Sequence, residues 1–154
     1  MKRLLRDRDG NADTGSMAVE FVVAAPAFIL LLLLIGAGGQ WVSASGEVGE
    51  AARDAARQAS LEIAYADVQQ GALTAAQTDL NNLCPGDARA NVELLTNNEQ
   101  VPAADWVGGA QAVRVRVSCN VDLKAFAIIG IPASETFADA ATAPLDPFSP
   151  RTGG

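Results

Sequence analysis

Glu20 is the residue in this chain whose chemistry most needs a reason. It is a carboxylate at the mouth of an uncharged run, Phe21 to Gly39, made largely of Val, Ala, Phe, Ile and Leu. Carrying such a charge to the centre of a bilayer on a helix costs about 2.5 to 3.5 kcal/mol on insertion scales, so it needs a partner or a functional reason to sit there. Taken alone, it could also snorkel to the interface without one. Other reactive groups are sparse. The chain has no His, which removes the commonest general base and transition-metal ligand. Its two cysteines, Cys84 and Cys119, cannot by themselves build a structural zinc site. No glycine-rich phosphate loop, nucleophile elbow or paired-carboxylate pattern stands out, and acids such as Asp139 and Asp146 read as solvated surface rather than as an acid and a base. The expectation is a chain without catalysis, cofactor or metal.

The element that must position Glu20 is a membrane helix. The run from Phe21 to Gly39 is about 19 residues, roughly 28 Å as a helix, close to the thickness of a hydrocarbon core. It is too long for the apolar segment of a removable signal peptide, although Gly36-Ala37-Gly38-Gly39 and Ser43-Ala44-Ser45 are small enough to offer a signal peptidase a cut. That glycine cluster either weakens the helix or lets neighbouring helices pack closely in lipid. Pro26 removes a backbone donor and can kink the helix near its start. Lys2, Arg3, Arg6 and Arg8 precede the run and no basic residue follows it until Arg53, which predicts a cytoplasmic N-terminus and an exported remainder. Of 18 acidic and 11 basic residues, four of each lie in residues 1–20, so the exported part keeps 14 against 7. That balance disfavours nucleic acid as a partner. In an oxidising compartment Cys84 and Cys119 are expected to form a disulfide, two buried free thiols being the alternative.

Beyond the anchor, Val48, Ala51, Ala52, Ala55, Ala56, Ala59, Ile63 and Ala66 recur at helical steps, opposite Glu47, Glu50, Asp54, Arg57 and Glu62. The spacing predicts one helix continuing to about Gln70 or even Leu83. Its narrow alanine stripe suits close approach to another helix, or to the chain's own sheet. Pro85-Gly86-Asp87 stops the helical pattern, and the period changes to two. Ala112 to Val121 is the clearest strand, with Val113, Val115, Val117, Cys119 and Val121 on one face. Asn91 to Leu95 and Thr136 to Thr142 are weaker strands, with Leu123 to Pro132 a connection that includes an apolar helical turn. Trp106 reads as a local packing anchor in a glycine-rich loop. The predicted organisation is a polar leader 1–15, a transmembrane helix 16–42, an exported helix 43–83 continuing the anchor, a sheet-containing head 84–143 and a flexible tail 144–154. The fold class is α+β, with a small antiparallel sheet of about three strands.

The stretch Gly15-Ser16-Met17-Ala18-Val19-Glu20-Phe21, a Gly, four residues and a Glu at the head of an apolar helix, resembles the cleavage site of type IV prepilins. Together with Pro26 and with Ala51-Ala52-Arg53-Asp54-Ala55-Ala56-Arg57, it more specifically resembles the TadE-like pseudopilins of tight-adherence (Tad/Flp) pilus systems. The likeness is carried by about residues 15 to 60, with Ser134 to Thr142 and Pro144 weakly similar. It implies a structural minor subunit, because the major pilins of such systems are shorter and have Tyr where this chain has Phe21. It also implies cutting by a prepilin peptidase between Gly15 and Ser16, and assembly contacts at Glu20, Phe21 and Pro26. In the resembling family the carboxylate pairs with a neighbour's new N-terminal amine, here Ser16. The implied partners are the membrane, the peptidase, other pilin-like subunits and the pilus assembly machinery. The rival expectation is a single-pass surface protein that binds a partner or ligand through its acidic head. An exported enzyme on an uncleaved anchor lacks a catalytic constellation.

Overall fold

The computed structural model describes residues 12–153, so most of the expected leader lies outside the described residues. The chain divides into two compact units, Met1–Gly38 and Gly39–Gly154. Helix α1 (Ala12–Leu61) supplies the described part of the first and the opening element of the second. The Gly36 to Gly39 cluster is helical.

The second unit is the α+β head. After α1 come α2 (Tyr65–Asp79), β1 (Arg89–Thr96), β2 (Glu99–Val101), β3 (Ala112–Asp122) and β4 (Ser134–Pro144). The sheet is antiparallel throughout, in the order β2-β1-β3-β4. It has four strands where about three were expected. The additional one, β2, is created by a two-residue turn in which Asn97 and Asn98 both take positive φ, 52° and 68°. Two left-handed residues match the twist of a hairpin, and Asn tolerates that region better than other non-glycine residues. Long β3 pairs with both β1 and β4, Val115 standing between Val92 and Ala141.

The period-two pattern of β3 sorts its residues as expected. Val113, Val115, Val117, Cys119 and Val121 are buried, while Arg114, Arg116, Ser118 and Asn120 lie on the opposite face. Against the buried face lie α2 and the alanine stripe of α1, from Ala44 through Val48, Ala51, Ala52, Ala55 and Ala56 to Ala59, all 1% exposed or less. Small side chains let the helix approach the sheet closely. In this fold the stripe is covered by its own chain from Ala44 to Ala59, so it is not available there to a neighbouring helix.

The predicted single helix to Gln70 or Leu83 is corrected: α1 ends at Leu61 and α2 begins at Tyr65. No Pro or Gly lies at the break. The backbone is instead drawn off by distant partners. Ile63 O accepts Trp106 Nε1 at 3.1 Å and Thr152 N at 2.9 Å, and Tyr65 N donates to Thr152 O at 3.3 Å. Gly71 of α2 stands against the Glu62 side chain, a Cβ there lying 2.7 Å from the carboxylate oxygen Oε1. The same contacts correct the expected loose tail. Leu145 is buried, and Arg151 donates to the carbonyls of Trp106, Ala110 and Asp146.

Candidate functional site

The described part of the first unit is an apolar helix whose side chains from Val19 onward are mostly exposed. Val19, Phe21, Val22 and Val23 are 66 to 76% exposed, and Phe28 through Leu32 are 50 to 65% exposed. These residues face every direction around the axis, the pattern of a helix whose surroundings are themselves apolar. Its most apolar window has a mean hydropathy of 2.6 and none of it is buried, and it is the one helix among the described residues long and apolar enough to cross a membrane. Glu20 is exposed among these apolar neighbours. Pro26 lies inside the helix, and lacking an N–H it leaves the carbonyl of Val22 without its usual donor. Gly15 and Ser16 fall in the helix's opening turns. They lie on the same backbone as Glu20, with residue 16 one turn ahead of residue 20.

In the head, Cys84 and Cys119 form a disulfide with Cα atoms 6.0 Å apart, tying the loop after α2 to the middle of the sheet. Both are buried. Asp139 and Asp146 are not brought together as an acid and a base. The first accepts the N–H of Ala140 at 2.7 Å within β4, and the second that of Phe148 at 2.9 Å in the C-terminal turn.

Trp106 is fully buried and gathers two distant stretches of chain. Its indole N–H holds Ile63 at the helix break, the Tyr65 ring lies 6.0 Å away, and the Arg151 guanidinium sits 5.3 Å from the ring centroid. A cation over an indole face is attracted by the ring's quadrupole. Arg151 is therefore a structural clamp that the sequence reading did not single out; its placement after Pro147 and Pro150 gave only the signal of a tail.

Between α2 and the part of α1 in the head runs an open groove of about 610 Å³, its charged lining Asp54, Arg57, Glu62, Asp67 and Asp79. Partial burial, and then the nearby charge of Asp54, raise the Asp79 carboxyl above its ordinary 3.8. Across the head, Lys124 and Asp122 pair at 2.7 Å in the turn after β3, which lowers the Asp122 pKa and raises that of Lys124.

Residues 15–57 match the family model described as TadE-like protein. No curated protein and no solved structure matches the chain. The matched span contains Gly15, Ser16, Glu20, Phe21 and Pro26, the apolar run, and the alanine stripe as far as Ala56.

Proposed function

We infer that this chain, TadE-like over residues 15–57 and so associated with the Tad pilus, is a minor pilin-like structural subunit, matured by a prepilin peptidase that cuts after Gly15. The observation that carries the reading is the Gly15 to Glu20 spacing at the head of an exposed apolar helix inside the matched segment. The cut would turn the backbone N of Ser16 into a new N-terminal ammonium one helical turn ahead of Glu20. On assembly the ammonium of one subunit pairs with Glu20 of the next, an attraction far stronger in a poorly solvated helical bundle than in water. The pair fixes subunit register, with Phe21 and Pro26 shaping the contacting surface around it.

The basic residues Lys2, Arg3, Arg6 and Arg8 support a cytoplasmic N-terminus and an exported head. Export is also the setting in which the Cys84–Cys119 bond persists. The role is structural and non-catalytic.

N-terminal sequencing of the membrane-extracted mature form, from cells that contain the peptidase, tests this reading. Ser16 as the first residue supports it. A mature chain that still carries Met1 to Gly15 overturns it and favours the surface-anchored binding protein.

A further inference from the structure

The head of Gly39–Gly154 carries opposite charge on its two sides. The helical side holds Glu47, Glu50, Asp54, Glu62, Asp67 and Asp79 against Arg53 and Arg57. The solvent face of the sheet holds Arg89, Arg114 and Arg116 against Glu93 and Asp122, with Asn91 opposite Arg116 and Glu93 opposite Arg114 in the β1–β3 register, and Asp122 is already paired with Lys124 at 2.7 Å. Toward β4 that face carries short side chains: Thr142 lies beside Arg114, Ala140 beside Arg116 and Ala138 beside Ser118. An uncovered platform of alanine and threonine studded with arginines admits another surface closely.

We propose that the arginine-bearing sheet face of one chain docks on the acidic groove between α1 and α2 of a second copy of the same chain.

Charge complementarity selects the occupant, because each surface presents the chemistry the other lacks and both belong to one polypeptide. Within the groove the acids outnumber the cations. Burial, and then the charge of Asp54, hold the Asp79 carboxyl above its ordinary value, and Arg57 is the one cation lining the groove with Asp54, Glu62, Asp67 and Asp79. Among the described residues no three acidic or thiol groups converge closely enough to hold a metal ion. The charge is spread along the groove, which fits an extended cationic surface. On the sheet, Arg89 reaches Asp87 only at 3.9 Å with its side chain 81% exposed, so its guanidinium keeps donors for a partner. Single exposed pairs contribute little, but two summed fields of opposite sign orient the approach. Since the two patches differ, the contact is heterologous and propagates from copy to copy instead of closing as a pair. This deepens the subunit reading by naming the partner as the chain itself, yet it does not depend on where the leader is cut.

Sedimentation velocity of the full-length, unprocessed chain in detergent micelles, over a concentration series, tests the contact. The expected result is reversible self-association that weakens as salt rises from about 50 to about 500 mM. Arg114→Glu with Arg116→Glu, or separately Asp67→Lys with Asp79→Lys, weakens it about tenfold. The neutral pair Arg114→Gln with Arg116→Gln weakens it in the same direction, and a smaller change there is still supporting. Mixing the two charge-reversed chains restores association, because the acidic sheet face of one now meets the basic groove of the other. A chain that stays monomeric overturns the proposal. So does association that ignores salt and both reversals, as contact between the anchors alone would give, or a mixture in which no association returns. Leader processing is read separately by N-terminal sequencing, so the two readings fail independently.

Discussion

Gly15 and Glu20 make separable demands on one short stretch of helix. A Gly in a helix lowers its stability by about 1 kcal/mol relative to Ala, so under the proposed maturation Gly15 favours local opening of the backbone at the cut. Gly15→Ala is expected to stop maturation, which intact-mass measurement of the membrane-extracted chain would register as retention of residues 1–15. Glu20→Ala leaves the cut in place but removes the carboxylate that neutralises the new ammonium. Its expected phenotype is a correctly processed chain that is poorly incorporated, scored by co-purification with surface filaments; normal incorporation would remove the ion pair from the proposed mechanism. Asp79 offers a test in the head. Its folded-state pKa is raised by burial and by Asp54, so the folded chain holds the proton more tightly than the unfolded one. Its ionised form therefore costs stability above the raised pKa, and that cost disappears as pH falls through it. Asp79→Asn should raise the melting temperature at neutral pH, with a gain that shrinks toward pH 3.8.

At the scale of elements, the helix break and the C-terminal segment stand or fall together through Trp106. Removing a fully buried Trp costs about 3 to 5 kcal/mol, and here it also takes one of two donors from Ile63 O and the ring from beneath the guanidinium of Arg151. Trp106→Ala should therefore destabilise the head, and hydrogen exchange at Tyr65 and Thr152 should rise with it. Arg151→Met keeps the length of the side chain but loses the donors to three carbonyls. Its expected cost is about 1 to 3 kcal/mol, read from a denaturant midpoint. The disulfide closes a loop with a sequence separation of 35, which in the chain-entropy model contributes about 3 to 4 kcal/mol that reduction should remove.

These elements also explain which parts of the fold could be read in the sequence. Strand β3 was plain because its alternation of Val with Arg, Ser and Asn is a local property, enforced by one buried face. The alanine stripe announced a helix for the same reason. The break at Glu62 to Ala64 left no local mark, because it is imposed by residues 106 and 152, far along the chain. Hairpin β1–β2 did have a local signal, the Asn97-Asn98 pair, although its strand is only three residues long. Glu20 stood out because a carboxylate beside an apolar run is costly wherever the fold puts it. Arg151 did not, because its function depends entirely on an indole brought to it by folding.

The molecule as a whole answers to two solvents. Its first unit turns apolar side chains outward, and its second buries them beneath a sheet and two helical segments. A membrane, or a bundle of like helices, satisfies the former, whereas the latter closes a core of its own. A single charge placed in the middle of the Phe21 to Gly39 run should therefore affect location rather than folding of the head. Leu31, half exposed in the apolar helix, is a suitable position. Leu31→Arg adds an insertion cost of about 2.5 to 3.5 kcal/mol at the helix centre, enough to lower the inserted fraction without touching any residue of the head core. The expected outcome is a chain released from membranes by alkaline carbonate while its Cys84–Cys119 bond still forms when export has occurred. Should Leu31→Arg remain fully membrane-integrated while Leu31→Phe behaves identically, the apolar run would not be the element that anchors the protein.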